Sequence, residues 1–599
     1  MMKSRLLALV FCLAASWGYG QVELARKYVE EGEYQKAEAI LADEYALSPT
    51  PDVFALRLNN FVSAEEYTKA LDLVDSQIKN TPSRSPYLMV DKIWVATQMG
   101  SAEKIESCFE ELDPYLVKNP GLSYQLGQSL TNYGLFQEAL RVFSRAEQLA
   151  PNMTFHYQKA LVYAEMGDIE SMFDEYLKMV EVSPSYLNSI KTTLSRSVTK
   201  DPNNEINRIV RTSLLEKIGQ SQNPVYTELL IWLYLQEGNY NMAFIQYKAL
   251  EKRGFSMDKE MYDMGMAAYQ NQEYEMAVKT FNYLIKKGPD QPYYFDSRAV
   301  VLAVEEAQLK ESHAEIKKWS QLLEKIQVLL DQPDFEVIYV SLRRQKARIL
   351  TGPFHNPQEA YKELERALEE SKGRKRAYAE TQMQMAETLM AMGEYVEALL
   401  MYARVEKEFE TNPIGQQAKF NKAMISYYQG DFEWAKAQFN GLKASPDKLI
   451  ANDAMNMWLL ISSNLDLDTT EIPMKRFAHA DLLIFQGEDN KAYALLDSLQ
   501  GEPIADPLLD EILFRKAEIK LRAQAYDQTI ALLEELRNLP RRSFFKDDAV
   551  FILGQLYENQ NSDTQNAMDA YQEVFTRYPN SVFSKEARDR YRALRGDQI

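Results

Sequence analysis

Cysteine and histidine are scarce in this sequence, which contains 2 Cys and 4 His among 599 residues. The length excludes a disulfide-stapled miniprotein, and so few histidines leave little material for a catalytic constellation. Glycine and proline are also sparse, at 23 and 22 residues, whereas Tyr, Phe and Met number 36, 26 and 24. This balance favours packed helices over a turn-rich β-sandwich. We therefore predict an all-α fold.

Basic residues are fewer than acidic residues in this sequence. The 68 Lys and Arg residues face 87 Asp and Glu residues, which gives a formal net charge of −19. The average field of such a protein repels phosphate backbones and anionic lipid headgroups. Nucleic acid is therefore not an expected partner, whereas 46% hydrophobic residues predict a folded core.

Long hydrophobic runs are absent after the first segment. The run Leu6–Ala15 follows the basic residues Lys3 and Arg5 and precedes Gly18–Gly20, which is the charge and size order of a secretory signal. The run is too short for a permanent membrane span, which needs about 20 residues. We predict a signal peptide over 1–20, cleavage after Gly20, and an exported, periplasmic protein without a transmembrane segment. The alternative is a buried N-terminal helix.

The cysteines add two expectations about the exported chain. Phe11 precedes Cys12 where a lipoprotein signal needs a small residue, so lipid anchoring is not expected. After cleavage only Cys108 remains, and a single cysteine cannot form an internal disulfide.

Two neighbouring stretches share one spacing of small, turn-forming and aromatic residues. Both step by 7, 5, 4, 3 and 5 residues, and each position lies 33 residues after its counterpart. This period is typical of helical-hairpin solenoids. The positions are Gly127, Gly134, Ala139, Phe143, Ala146 and Pro151, followed by Ala160, Gly167, Met172, Tyr176, Met179 and Pro184.

The residue types at these positions have physical roles. Small residues at Gly127 and Ala139 allow two helices to approach closely, and Phe143 fills the space beside them. Gly134 suits the turn because glycine adopts the left-handed conformation that ends a helix. This frame resembles the tetratricopeptide repeat (TPR). Further copies are centred on Gly32, Ala70, Gly100, Gly238, Gly265, Ala360, Gly393, Gly430, Gly487, Tyr526 and Ala567.

We count about 13 such hairpins, more than the three or so that a solenoid needs, and predict an α-solenoid or superhelix. Residues 185–223, 290–340 and 447–471 depart from the frame and predict irregular helices. The expected organisation is a signal peptide (1–20), an N-terminal TPR array (21–184), irregular helices with TPR-like units (185–333), a central array (334–472) and a C-terminal array (473–599).

Motifs that carry chemistry are few. The sequence contains no phosphate-binding glycine loop, no nucleophile elbow and no zinc-protease motif, so we predict no enzyme activity, no cofactor and no metal. The histidines 156, 313, 355 and 479 are far apart, and a solenoid mainly brings neighbours together. We interpret Cys108 as a small buried side chain rather than a nucleophile. Asn464, Asp466 and Asp468 alternate as in a calcium loop, but Thr469 replaces its glycine and Lys475 its bidentate acid, which indicates a polar turn.

The TPR resemblance implies a concave face, lined by the first helix of each hairpin, that binds extended peptides or partner helices. The pattern by which chaperone-binding TPR modules clamp a C-terminal carboxylate is missing, because Tyr124 and Gln128 occupy its first two places. The expected groove residues are Tyr124, Gln128, Thr131, Tyr157, Tyr262, Met266, Tyr269, Met383, Glu387, Phe420, Met424 and Tyr427. Each of these could instead pack one repeat against the next.

Two segments resemble exported proteins. The C-terminal run from Ala567 to Leu594 resembles the last repeats of bacterial envelope TPR proteins, and Lys448–Ala454 resembles exported TPR proteins of the Bacteroidota. We therefore expect a non-enzymatic scaffold of the cell envelope that binds partner proteins and is associated with an outer-membrane complex. The alternatives are a structural component of a secretion or surface-motility machine, and an enzyme subunit with a site in an off-repeat segment such as 290–340.

Overall fold

The computed structural model describes residues 20–312, 314–445, 447–465, 471–560 and 563–597. The chain divides into two compact units, Met1–Met257 and Asp258–Ile599. Each unit is built from consecutive helices that pack in pairs, and the part of the chain described contains no β-strand. The predicted all-α solenoid of helical hairpins is confirmed. Residues 1–19 of the predicted signal peptide lie outside the described residues.

The first unit contains fourteen helices in its described part. They are α1 (20–30), α2 (Tyr34–Leu47), α3 (Pro51–Ser63), α4 (Tyr67–Asn80), α5 (Ser85–Gln98), α6 (Ala102–Lys118), α7 (Ser123–Asn132), α8 (Phe136–Leu149), α9 (His156–Met166), α10 (Ile169–Val182), α11 (Leu187–Leu194), α12 (Glu205–Gln220), α13 (Pro224–Gln236) and α14 (Tyr240–Lys252).

The second unit contains eighteen helices in the residues described. They are α15 (Asp258–Gln270), α16 (Tyr274–Ile285), α17 (Tyr294–Glu311), α18 (Ile316–Leu330), α19 (Tyr339–Thr351), α20 (Pro357–Glu370), α21 (Lys375–Met392), α22 (Tyr395–Glu408), α23 (Pro413–Tyr428), α24 (Phe432–Leu442), α25 (Lys448–Leu465), α26 (Ile472–Phe485), α27 (Asp489–Gln500), α28 (Leu509–Arg522), α29 (Tyr526–Arg537), α30 (Lys546–Asn559), α31 (Thr564–Arg577) and α32 (Ser584–Arg595).

Close packing inside a hairpin depends on the small residue of its first helix. A Cβ atom added to Gly127 in α7 would lie 2.3 Å from Cζ of Phe143 in α8. The same contact recurs at Gly554, where an added Cβ would lie 2.6 Å from Cε1 of Tyr571. An aromatic ring of the second helix therefore packs directly on the glycine backbone, as the sequence predicted.

The turn within each hairpin also follows the predicted frame. Gly134 and Gly167 adopt φ of 73°, in the left-handed region that glycine enters at little cost. Glu65, Gln272 and Gln524 adopt φ of 58°, 63° and 55° at the corresponding turns. In these three hairpins, a non-glycine residue adopts the left-handed conformation that glycine adopts at the other turns.

The described residues of the off-frame segments are mostly helical, and residues 185–223 contain α11 and α12 joined by an irregular stretch over 195–204. Residues 290–340 form α17 and α18, and Trp319, Leu322 and Ile326 of α18 are buried in a core of larger side chains. Residues 447–471 contain α25, which packs on α24. The next helix, α26, contacts α23.

Two further observations concern the predicted boundaries and the membrane. The segment boundaries expected near Pro184, Pro333 and Pro473 differ from the division between the two units and stay predictions. Among the described helices, none combines the length and the apolarity that crossing a bilayer requires.

Candidate binding groove

The predicted groove residues of the first unit are largely accessible. Tyr124 on α7 and Tyr157 on α9 are 49% and 50% exposed, and Gln128 is exposed as well. Thr131 is half-buried, and its Oγ1 donates a hydrogen bond to the carbonyl oxygen of Gly127 at 2.8 Å. Tyr124, Gln128 and Tyr157 are thus free to contact a partner, whereas Thr131 is engaged with its own helix.

Tyr157 also lines a cavity of about 550 Å³ between α9, α10 and α11. His156 lies in the same cavity, and its Nδ1 is 2.7 Å from Oε2 of Glu175. Because Glu175 is buried and also accepts a hydrogen bond from Lys178, this histidine is held in a structural hydrogen-bond network.

The three predicted residues on α15 are half-buried. The Tyr262 ring stacks on Tyr293 at 4.7 Å between centroids and meets Phe281 edge-on at 5.5 Å. Burial raises the pKa of Tyr262 to about 12. The hydroxyl of Tyr269 donates to the carbonyl oxygen of Ala303 at 3.4 Å. Tyr262 and Tyr269 therefore connect adjacent hairpins, and each contributes packing as well as surface.

Met383 and Tyr427 are corrections to the predicted set, because both side chains are buried. Leu482 of α26 belongs to the same core cluster as Met383. The hydroxyl of Tyr427 donates to Oδ2 of Asp481, also on α26, at 2.8 Å. The prediction was wrong for these two residues because Tyr427 is hydrogen-bonded to α26 and Met383 packs in a core formed mainly by α21, α22 and α23. Phe420 and Met424 are half-buried against the adjoining core.

Glu387, the remaining predicted residue, lines a groove of about 520 Å³ in the second unit. Five helices, α17, α18, α19, α21 and α26, contribute to its walls. The lining residues include Glu306, Lys310, Trp319, Arg348, Gln384, Glu387, Thr388 and Phe485.

The charged wall of the groove is fixed by ion pairs between first helices. Arg348 donates to both carboxylate oxygens of Glu306, from Nε at 3.1 Å and from Nη2 at 3.0 Å. Next to the lining residues, Arg344 Nη1 of α19 donates to Glu380 Oε2 of α21 at 2.7 Å. Such paired, bidentate contacts hold charged groups in place with little freedom.

The Glu387 carboxylate occupies a different environment. Its side chain keeps solvent contact, yet burial among groove atoms raises its pKa, and the nearby charges of Arg344 and Arg348 only partly oppose this. Among the residues described, Glu387 accepts no hydrogen bond from another side chain. A carboxylate that lines a groove can be both accessible to solvent and partly desolvated by the surrounding atoms.

Residues distant in sequence meet beside this groove. Phe485 at the end of α26 forms part of its wall, and Gln486 Nε2 donates to the carbonyl oxygen of Met390 at 3.3 Å. A Cβ atom at Gly487 would lie 2.8 Å from Cε1 of His355. The turn after α26 therefore contacts residues of earlier hairpins in the second unit, in addition to the neighbour contacts that predominate in a solenoid.

Glu306, Arg348 and Phe485 line the groove but are not among the groove residues predicted from the sequence. Residues 290–340 were predicted as irregular helices, and a segment that departs from the repeat frame gives no basis for assigning a groove face. Phe485 is the last residue of α26. The repeat frame predicted only that this helix packs against the adjacent repeat. No local signal reports contacts made by α26 with α21 or α23.

Of the remaining residues considered for catalysis or metal binding, some are buried and others lie outside the described residues. Cys108 is buried, as predicted, and burial raises its pKa to about 11. Asn464 is buried and donates to Glu511, whereas Asp466, Asp468, Thr469 and His313 lie outside the described residues.

The described part of the chain holds no group of three or more His, Cys, Asp or Glu side chains arranged for a metal. The described residues of 290–340 form α17, α18, a 3₁₀ helix over Pro333–Ile338 and the start of α19, rather than a non-helical insertion. A catalytic role for that segment stays an untested hypothesis.

Comparisons with known proteins address the repeat most directly. Residues 548–581, which include nearly all of α30 and all of α31, match the family model described as tetratricopeptide repeat. No curated protein matches the chain significantly in sequence.

Solved structures share the helical character at low similarity. Yeast Tom70 is 12% identical, with a TM-score of 0.26, over 92% of this chain and 99% of that chain. The APC/C hetero-tetramer Cut9-Hcn1 is 11% identical, with a TM-score of 0.25, over 97% and 98%. Naa15/Naa10 bound to HypK-THB is 12% identical, with a TM-score of 0.25, over 96% of each chain.

These TM-scores are too low to add to what the helices themselves show. The glycine–aromatic contact between Gly554 and Tyr571 falls within the matched repeat and recurs between Gly127 and Phe143. Residues 548–581 are therefore a tetratricopeptide repeat, and this chain is a solenoid of TPR-like helical hairpins.

Proposed function

We propose that the protein is a non-enzymatic scaffold that binds a segment of a partner protein in the groove of the second unit. The observation that supports this most is the groove itself, in which five helices surround the accessible carboxylate of Glu387 and the exposed ring of Phe485. Helical solenoids commonly use concave surfaces of this kind to bind proteins.

The walls of the groove suit a polypeptide. The ion pair of Glu306 with Arg348 is preformed, so little side-chain entropy remains to be lost when a partner binds. Phe485, which is 43% exposed, offers apolar area beside it. Aromatic and arginine side chains in such settings are enriched among residues that dominate binding energy.

The cellular setting is part of the same proposal. The order of basic, apolar and small residues at the start of the sequence supports export, and we propose a periplasmic protein associated with the cell envelope and its outer-membrane complexes. Sequencing the N-terminus of the protein from its native cells tests cleavage after Gly20. An intact Met1 in the native protein would remove the export proposal.

The binding test uses Phe485→Ser, which removes exposed apolar area at the edge of the groove. The matched control is Val396→Ser on α22, because Val396 is also an exposed apolar residue but does not line the groove. We expect Phe485→Ser to lower partner affinity by about tenfold and Val396→Ser to leave it unchanged. Tyr262 is a poorer probe since its stacking on Tyr293 makes replacement a packing change.

The measurement is affinity purification of the full chain from native envelopes after mild crosslinking, followed by binding assays with the partner identified. Circular dichroism of each variant confirms folding. Equal affinity for both variants would reject the groove, and recovery of no partner from envelopes that retain other complexes would reject the scaffold function.

A further inference from the structure

The first unit carries exposed tyrosine rings on two neighbouring first helices. Tyr87 lies on α5, Tyr124 lies on α7, and Tyr133 directly follows α7, and all three rings are exposed. The hydroxyl of Tyr87 donates a hydrogen bond to the side-chain oxygen of Gln125, which joins α5 to α7. Tyrosine is enriched in protein interfaces because its rigid ring combines apolar area with a polar hydroxyl.

Asp91 carries a negative charge at this surface. It lies one helical turn after Tyr87 on α5, and its Oδ1 accepts a hydrogen bond from the Tyr133 hydroxyl at 2.6 Å. The Tyr133 ring stacks on Trp94 of α5 with centroids 5.1 Å apart. The second oxygen of Asp91, Oδ2, stays accessible and accepts no hydrogen bond among the residues described. The carboxylate is therefore oriented beside an aromatic pair with one oxygen open.

Basic side chains near Asp91 leave its charge without a direct partner. In the described chain, Arg84 is the base whose charge acts on Asp91, but the two form no ion pair, and Arg84 is exposed. The adjacent Lys92 is engaged elsewhere, since its Nζ lies 3.0 Å from Asp75 Oδ1 and 2.8 Å from Glu111 Oε2. A further cation is thus needed to neutralise Asp91 by contact.

The pKa of Asp91 agrees with this arrangement. Burial raises it to about 6, and the hydrogen bond from Tyr133 and the charge of Arg84 only partly oppose this. The carboxyl group is therefore ionised at neutral pH. An ionised carboxylate that has lost part of its hydration gains more from a cationic partner than a fully solvated one. Burial and the charge of Asp91 raise the pKa of Tyr133, so its hydroxyl stays protonated and donates.

A cation on an apolar stem is the ligand that fits an open carboxylate beside aromatic rings. The guanidinium group of arginine is planar and weakly hydrated, and it stacks on aromatic faces while it donates to a carboxylate. The lysine ammonium is a compact, strongly hydrated charge that gains less from such rings. The formal net charge of −19 also favours encounter with a basic segment over an acidic one.

We propose that the surface formed by Tyr87, Asp91, Tyr124 and Tyr133 binds an arginine side chain in an exposed segment of a partner protein. The guanidinium donates to the open Oδ2 of Asp91, and its apolar stem contacts the tyrosine rings. This surface belongs to the first unit, so it is a binding site in addition to the groove of the second unit and does not depend on that groove.

The test measures binding of two small probes to the full chain by saturation-transfer NMR. Nα-acetyl-arginine amide carries the cation, and Nα-acetyl-citrulline amide has the same shape without the charge. About 0.15 M salt in the buffer screens weak contacts of the arginine probe with other surface charges. We expect the citrulline probe to bind about tenfold more weakly, because it lacks the charge that pairs with Asp91. Asp91→Asn should weaken binding of the arginine probe by a similar factor.

The matched control is Asp43→Asn on α2, which removes one exposed carboxylate that forms no ion pair among the residues described. It should leave binding of the arginine probe unchanged. Asp91→Asn keeps an acceptor for the Tyr133 hydroxyl, and circular dichroism confirms that both variants fold. If Asp91→Asn did not fold, the comparison of the two probes on the original chain would decide.

Equal affinities of the two probes for the original chain would overturn the proposal. Equal binding of the arginine probe by folded Asp91→Asn and by Asp43→Asn would overturn it as well. Phe485→Ser should not alter probe binding, so failure of this surface and failure of the groove are distinguishable.

Discussion

The φ angle of a single residue at each hairpin turn affects the stability of that hairpin. Most hairpin turns use glycine with positive φ, but Gln272, between α15 and α16, adopts φ of 63° with an exposed side chain. A Cβ atom in this region contacts the backbone carbonyl, which costs about 1–2 kcal/mol for an L-residue. Such a turn therefore reduces the stability of its hairpin relative to one that contains glycine.

Replacing Gln272 with glycine should stabilise the protein. We expect Gln272→Gly to raise the free energy of unfolding by about 1 kcal/mol, since relief of strain exceeds the added entropy of the unfolded chain. Equilibrium denaturation in urea measures the change. The control is Gln270→Gly at the last helical position of α15, which should not stabilise the protein, because a residue with negative φ has no such strain to relieve. A lower midpoint for Gln272→Gly would contradict the strain.

At the scale of helices, ion pairs join the two members of a hairpin. Glu363 of α20 is only 3% exposed in its side chain, and it accepts from Nη1 of Arg343 and Nζ of Lys346, both of α19, at 2.8 Å. Burial alone would raise the pKa of Glu363, yet these two hydrogen bonds lower it below its usual value. The Glu363 carboxylate therefore forms ion pairs with two basic side chains where α19 packs against α20.

Removing the charge of Glu363 should weaken this hairpin. We expect Glu363→Gln to lower the free energy of unfolding by about 3 kcal/mol, because two basic groups lose a buried partner. The difference is fully present above about pH 4.3, the pKa of glutamate in the unfolded chain. It shrinks as pH falls through the lower folded-state pKa, because protonation then removes the same charge from the original residue.

Denaturation series at several pH values provide the measurement. The control is Glu106→Gln, whose partner Arg141 lies on the surface, and we expect no change in its midpoint. An effect of Glu363→Gln that persists undiminished at pH 3 would show that the charge is not its origin.

For the whole molecule, repeated hairpins make stability depend on neighbours. In a solenoid, most contacts of a repeat are with the repeats before and after it, so a local defect spreads over a short distance. Gly127 provides such a defect, because a methyl group there overlaps the ring of Phe143. Gly219 in α12 provides the opposite case, since an added Cβ would have no atom within 4 Å.

Hydrogen exchange can follow this local coupling. We expect Gly127→Ala to cost about 1–3 kcal/mol and to accelerate amide exchange in α5–α10 while leaving α28–α31 unchanged. Gly219→Ala should slow exchange locally or leave it unaltered, because alanine favours the helix by up to about 1 kcal/mol. Acceleration of equal size in all helices would indicate a single cooperative unit.

The residues of a strong repeat predicted much of the fold in advance. Gly127, Gly134 and Phe143 anticipated the close contact and the turn, and Cys108 was correctly interpreted as buried. These features depend on residues within one hairpin, whose spacing is fixed by helical geometry. For residues 290–340 the sequence predicted helices but not which face of each helix lines a groove, because the larger side chains of α18 pack without the small-residue frame.

The sequence by itself determined the helices, their turns and the contacts inside a hairpin, since each depends on residues separated by a few helical turns. Only the tertiary structure decided that Met383 and Tyr427 are buried, and that Phe485 lines the groove with Glu387. It also placed Glu511 beside α25. These contacts depend on an inserted helix and on rotations accumulated over several hairpins, for which a local sequence pattern carries no signal.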